Sequence, residues 1–140
     1  AMPFIRYALD DVGVPCRDDE CECGITFPMM KVVEGRKDSF VKLPNGRRVP
    51  ALVFGWIMEF YKFYSSIYQY KIIQDNVNSL KFLIKKKPSV YDDHTMIIEL
   101  STHVRKMLGV SESELAIDVS FVDSIPIDAS GKLRKVISKL

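Results

Sequence analysis

Histidine and cysteine are both scarce in this sequence, and neither is arranged for the chemistry it usually serves. The 140 residues hold two histidines, His94 and His103, and three cysteines, Cys16, Cys21 and Cys23. No Ser/His/Asp grouping stands out, so the common nucleophilic triad is not legible. The seven glycines are scattered, and no G-x-x-x-x-G-K-[ST] run is present, which removes the phosphate loop of the P-loop enzymes. No apolar run reaches the about 18 residues of a membrane span, and the N-terminus lacks the charged and apolar regions of a secretory signal. An odd number of cysteines, all between positions 16 and 23, argues against a disulfide framework and fits a reducing cytoplasm.

What is present is an ordinary globular composition, 47% hydrophobic and 27% charged, enough to bury a core without metals or disulfides. The net charge of +2 is unevenly spread. Residues 1–30 carry Asp10, Asp11, Asp18, Asp19, Glu20 and Glu22 against Arg6 and Arg17. Basic residues gather at Lys85-Lys86-Lys87 and between Lys132 and Lys139. Such runs are most often solvated faces; the alternative is an anionic ligand.

Along the chain, residues 1–30 look irregular, with "FIRYAL" as the strand candidate, and "MKVVEG" reads as a short strand ending at Gly35. "SFVKLPNGRRVP" reads as a hairpin, because Asn45-Gly46 tolerates the positive φ of a tight turn. "ALVFGWIMEFYKFY" reads as a helix, apolar nearly all round and therefore well buried. "SIYQYKIIQ" and "SLKFLIKK" alternate with period two and predict an antiparallel pair, with Leu80, Phe82 and Ile84 on one face and Lys81 and Lys85 on the other. Asp92 or Asp93 can cap a helix whose stripe runs through Met96, Ile97, Leu100, Val104, Met107 and Leu108, with Gly109 as its stop. "ELAIDVSFV" gives another strand, and "LRKVISKL" reads as a short last helix. The expected fold is α+β, a small mostly antiparallel sheet with flanking helices, preceded by a β-rich irregular N-terminal segment.

Three groups of residues can carry chemistry. Lys132 follows Gly131 in "PIDASGKLRKV", so a long flexible cation sits beside a residue that frees the backbone; the plainer reading is a solvated lysine in a turn. Cys16, Cys21 and Cys23 offer three soft ligands within reach of one zinc ion, which prefers four; the plainer reading is reduced cysteines in a polar loop. Arg36, in "GRKD", suits phosphate or diol oxygens, and is equally a surface arginine before a hairpin. His103 lies near an apolar stripe and reads as structural.

In order along the chain, "PFIRYALDD", "CECGITFP", "VVEGRKDSFVKLPNGRRVPA", "IYQYKIIQ" and "SIPIDASGKLRKVI" resemble the C-terminal portion of adenylate-forming enzymes, in the branch of phenylacetate–CoA ligase and coenzyme F390 synthetase with its capsule-biosynthesis relatives. The resemblance implies an acid–CoA ligase. A small carboxylic acid reacts with ATP, with Mg2+, to give an acyl-adenylate, and coenzyme A then takes the acyl group. It implies residues 1–37 as the tail of a large nucleotide-binding domain and 38–140 as a small mobile domain. Within Y-x-x-x-D it makes Asp11 the ribose-binding aspartate, with Asp10 the alternative register. Arg36 matches an arginine near the ribose, Asp38 the hinge, and Lys132 the lysine that meets the reacting carboxylate and α-phosphate.

The phosphate loop, adenine pocket and acyl pocket of such enzymes lie upstream of these motifs. The 140 residues alone are therefore expected to be inactive, a domain of a longer enzyme or one product of a split gene. A missing N-terminal nucleotide-binding domain is the expected partner, and residues 1–30 without it would be mobile or pair with a second copy. No membrane and no nucleic acid are expected as partners. The competing readings are a basic nucleic-acid-binding module built on Lys85–Lys87, which lacks an aromatic RNA-recognition signature, and a stand-alone zinc-binding interaction module.

Overall fold

A computed structural model of the chain describes residues 11–16, 24, 29–36, 40–88, 91–127 and 133–140. The chain divides into two compact units, Ala1–Asp38 and Ser39–Leu140.

The first unit contains an antiparallel ribbon of β1 (Asp11–Pro15) and β2 (Met30–Arg36). Its register sets Asp11 opposite Arg36 and Pro15 opposite Met30, with irregular steps after Val12 and Val14. The Cys16 N–H continues the ribbon by donating to the Met29 carbonyl at 2.9 Å. β2 is the strand expected from "MKVVEG"; β1 falls where the sequence reads as irregular. Asp, Gly and Pro are poor strand formers, and here the partner strand supplies the order that local propensity does not. The "FIRYAL" candidate lies outside the described residues.

The second unit is built around a four-stranded sheet in the order β7-β6-β5-β8. It begins with a hairpin, β3 (Phe40–Lys42) and β4 (Arg48–Pro50). The Gly46 N–H returns to the Leu43 carbonyl at 2.9 Å, so Pro44 and Asn45 form the corners of the turn, and Gly46 follows at φ 81°. A backbone with positive φ at that point favours glycine. Pro50 then precedes helix α1 (Ala51–Glu59).

Strands β5 (Ile67–Asn76) and β6 (Ser79–Lys86) pair antiparallel, as their alternation predicts, with Leu80, Phe82 and Ile84 buried. Helix α2 (Asp93–Leu108) starts at Asp92, whose carboxylate accepts from the Thr95 N–H at 2.9 Å. The hydrogen bonds from Thr95 hold that carboxyl below its ordinary pKa. The helix stops at Gly109, φ 65°, whose N–H turns back to the Arg105 and Lys106 carbonyls. Met96, Leu100, Val104 and Leu108 are buried, and Met107 is exposed. Four-residue spacing fixes that narrower stripe. Strand β7 (Ala116–Phe121) then adds parallel to β6.

Three expectations need correction. The last segment is a strand: β8 (Val136–Ser138) lies parallel to β5, with Val136 opposite Ile72 and Ser138 opposite Gln74. An eight-residue helix would have been marginal on its own. The free edge of β5 instead offers backbone partners: the Ile72 N–H donates to the Lys135 carbonyl at 2.8 Å, and the Lys139 N–H to the Gln74 carbonyl at 3.0 Å. The β-branched Val136 and Ile137 suit that pairing. The sheet is consequently mixed, an antiparallel centre with a parallel strand on each side, within the α+β class.

The second correction concerns α1, read as buried all round. Phe54, Ile57 and Met58 are buried, while Leu52, Trp56 and Phe60 are 68%, 55% and 72% exposed. Those three recur every fourth residue and so form one outward stripe. A helix lying on one layer of core keeps a free face whatever its composition. The third is its length: α1 ends at Glu59 where a longer helix is expected, and a 3-10 turn at Tyr64–Ser66 follows. The intervening Tyr61 and Phe63 turn inward. The Tyr61 hydroxyl donates to the Met96 carbonyl at 2.8 Å, and His103 Nε2 meets the Ile57 carbonyl at 2.8 Å. A carbonyl only accepts, so the ring must carry its proton on Nε2. His103 is thus a tie between the two helices.

Candidate functional site

The connection between β7 and β8, residues 122–135, holds the lysine that the sequence singles out. β7 and β8 are the two outer strands, so this connection crosses three inter-strand steps, about 14 Å. Register fixes which end of the sheet it crosses. Phe121, the last residue of β7, is opposite Ile84, and Ile84 is opposite Tyr70; Val136, the first of β8, is opposite Ile72. The crossing therefore takes place at the end formed by the start of β5 and the finish of β6.

Both ends of the connection are held. On the β7 side the Val122 N–H donates to the Ile84 carbonyl at 2.9 Å, and Ile125 is buried. On the β8 side Leu133 is half-buried, Lys135 accepts the Ile72 hydrogen bond, and Val136 packs on the core. Residues 128–132, with Lys132, lie outside the described residues, as do Asp10, Asp38, Cys21 and Cys23.

Among the described residues, several cations line this end of the sheet. The Lys135 ammonium stands 5.3 Å from the centre of the Tyr70 ring. Burial, reinforced by the nearby Tyr64 and Glu59, pushes the Tyr70 hydroxyl up to about 12, so it is neutral at physiological pH. The run Lys85–Lys87 does not act as a block. Lys86 ion-pairs with Asp93 and lies 5.2 Å from the Phe121 ring. Lys87 donates to the Ser65 carbonyl at 2.7 Å and stands 5.5 Å from the Tyr68 ring. Lys85, on the opposite face of the strand from Lys86, lines an open pocket of about 240 Å³ with Tyr68 and Gln69. Two of the three charges are already engaged within the domain, which weakens a nucleic-acid reading that needs a row of cations on one surface.

Of the other sequence-predicted residues, Asp11 and Arg36 come together as register partners at one end of the β1–β2 ribbon. Cys16 is a free, half-buried thiol. Among the described residues no group of histidine, cysteine, aspartate or glutamate side chains is placed to hold a metal ion, and no helix is long and apolar enough to cross a membrane.

One residue escapes the sequence reading. Gln74 follows Tyr70 and Ile72 on the core face of β5 and is 0% exposed. Its side-chain Nε2 donates to the Lys42 carbonyl at 2.7 Å, and its Oε1 accepts from the Lys42 N–H at 3.0 Å and from the Ser138 hydroxyl at 3.1 Å. The signal in the sequence is a lone amide at an apolar position of a period-two strand.

Comparison with known proteins gives two results. Residues 46–139 match the family described as the CapK C-terminal domain. Among solved structures, 2-hydroxyisobutyryl-CoA ligase in the postadenylation state, in complex with 2-HIB-AMP, is 19% identical with a TM-score of 0.56, over 93% of this chain and 28% of that one. An open conformation of the same ligase with 2-HIB-AMP and CoA is 20% identical with a TM-score of 0.52, over 91% and 27%. At such identities the likeness is one of fold. This chain spans less than a third of the length of those structures. No curated protein sequence matches it.

Proposed function

The chain belongs to the CapK C-terminal domain family, and from that premise we propose that it is the small mobile domain of an ATP-dependent carboxylic acid–CoA ligase. The observation that supports this most is a joint fit. The family match covers 46–139, and the fold resembles part of a CoA ligase held with an acyl-adenylate, in a chain about a quarter of that length.

In this reading the substrate carboxylate oxygen attacks the α-phosphorus of ATP, and the bond to pyrophosphate breaks. The thiol sulfur of coenzyme A then attacks the acyl carbon, losing its proton, and AMP departs. Residues 1–37 are the tail of the nucleotide-binding domain, where Asp11 and Arg36 hold the ribose. The two residues are backbone register partners at one end of the ribbon, and their types, an acceptor for hydroxyls and a forked donor, suit a ribose. Asp38 is the pivot and 38–140 the moving part. Mg2+ would accompany the ATP phosphates.

Lys132 supplies the charge. Adenylation gathers negative charge at an in-line phosphoryl centre, so an ammonium held there lowers the barrier. A lysine carried on a moving domain can be delivered for that step and withdrawn for the thiol step. Holding both ends of the 122–135 connection is what such delivery requires, because the domain must aim the cation as well as carry it.

The test is Lys132→Ala in the complete ligase. Pyrophosphate release should fall by about 10²- to 10³-fold, while thiolation of a supplied acyl-adenylate largely survives. Equal damage to both steps defeats the assignment. The 140-residue chain alone should release no pyrophosphate from ATP and acid.

A further inference from the structure

We infer that Gln74 is a positioning residue: its buried amide locks the β3–β4 hairpin to β8, so that hairpin, central strand and C-terminal strand move as one body. The inference rests on the ligase reading for the roles of Asp38 and Lys132, but the mechanical coupling stands on the geometry alone.

The hairpin β3–β4 is a two-stranded sheet of its own, outside the backbone ladder of the four-stranded sheet. Its apolar residues Val41, Leu43 and Val49 sink into the core. Apolar burial holds the hairpin down and sets which of its faces points inward, but it supplies no directional link to β5. Gln74 supplies the direction. One amide satisfies both the N–H and the C=O of Lys42, at 3.0 and 2.7 Å, which is how a neighbouring strand would pair with it. The same Oε1 accepts from Ser138 on β8, and the Gln74 main-chain carbonyl accepts from the Lys139 N–H. Hairpin, central strand and C-terminal strand therefore meet on this one residue. Lys42 stands four residues after Asp38, and Ser138 six residues after Lys132.

The residue type follows from the partners. Lys42 presents a donor and an acceptor, so the reply must hold both. An ionised glutamate only accepts. A methionine of similar shape fills the space but leaves the Lys42 and Ser138 groups unpaired, which in a buried setting is costly. An aspartyl pivot can turn the hairpin, but Lys132 arrives in place only if the turn reaches β8 without slip, and about 1 Å of misplacement is enough to cost about 10²-fold in rate.

Amide hydrogen exchange on the 140-residue chain tests the coupling without any activity. In Gln74→Met, exchange at Lys42 and at Lys139 should both accelerate by about 10- to 100-fold, the loss of one buried hydrogen-bonding unit. Lys139 keeps its own acceptor, the main-chain carbonyl of residue 74, so its response reports coupling. The amides of Ala116 and Val122, bonded to Asn78 and Ile84 on the far side of the sheet, should hold their protection. A change at Lys42 alone overturns the coupling; an equal change at all four amides reduces Gln74 to a general stabilising residue and also overturns it. In the complete ligase, Gln74→Met should lower kcat for adenylation with KM for ATP little changed, and should add almost nothing to Lys132→Ala, because a residue acting through the lysine has no effect once the lysine is gone. Additive losses overturn the positioning role. If the exchange result holds and no ligase activity is found, the coupling survives and the ligase reading falls.

Discussion

Phe82 and Leu83 are neighbours on β6 and should differ several-fold in what they contribute. Phe82 is 0% exposed, between Ile72 on β5 and Val119 on β7; Leu83 is half-buried, between Lys71 and Ser120 on the other face. A buried phenylalanine removes at least about 150 Å² from water, worth about 4 kcal/mol at 25 cal/mol per Å². Truncation to alanine adds a cavity, and measured costs for such changes run to about 3–5 kcal/mol. A domain of this size is stable by about 5–15 kcal/mol, so Phe82→Ala should remove about a fifth or more. With a urea slope of about 2 kcal/mol per molar, the midpoint should fall by about 2 M. Leu83→Ala should move it by about 0.5 M or less, since one side of that residue already faces water. The assay is urea unfolding followed by far-UV circular dichroism. If Phe82→Ala does not fold, Phe82→Leu should still cost more than Leu83→Ala. Equal losses at the two positions would refute the argument, because a one-residue slip in register would exchange the faces of the whole strand.

Three further outcomes follow from single features. Tyr70 stays protonated up to about pH 12 in the fold, and burial also raises the Tyr61 hydroxyl above its ordinary value; both lose a proton near pH 10 once unfolded. The stability they carry is complete below pH 10 and should drain away as pH rises through the folded pKa, so an alkaline melting series that stays flat to pH 12 would contradict their burial. Gly109→Ala places a side chain at φ 65° with open space around it, so only backbone strain is felt, and chemical denaturation should show a loss of about 1–2 kcal/mol; no loss would mean that the α2 stop is not left-handed. Trp56, the single tryptophan, is 55% exposed and should emit like a solvated indole and be quenched by acrylamide, whereas a blue-shifted, protected emission in the monomer would contradict the outward stripe on α1.

Where the sequence was readable, two independent signals agreed. β5 and β6 carry both alternation and β-branched residues; α2 has both a four-residue stripe and a capping aspartate and glycine. Where it misled, the deciding partner was far away in the chain. "LRKVISKL" has the charge and length of a last helical turn, yet β5 presents a free edge that only the assembled sheet reveals. α1 is apolar on every side, and nothing local tells which side the core will take. Gln74 was invisible for the same reason. A lone amide in a strand looks like an imperfection until Lys42 and Ser138 are brought to it from 32 positions before and 64 after.

If the domain carries a catalytic lysine as proposed, the long separations also bear on how so small a unit could carry it accurately. Its hydrophobic core fixes how firmly the pieces adhere and which face of each strand is buried, but burial itself is non-directional. Delivery of a cation to a phosphoryl centre demands orientation, which hydrogen bonds provide through their narrow angular preference. Besides the sheet ladder and the ties between the two helices, directional contacts join the pieces at the Gln74 amide, where hairpin meets sheet, and at the Lys135 and Val122 backbone bonds on the two sides of the β7–β8 connection. On the proposed ligase reading, apolar residues determine whether the domain holds together, and a few buried polar groups would determine how accurately Lys132 is delivered. If the complete protein is the ligase proposed, substitutions in the core should change stability and leave the ratio of adenylation to thiolation alone, while substitutions at Gln74 should change the ratio.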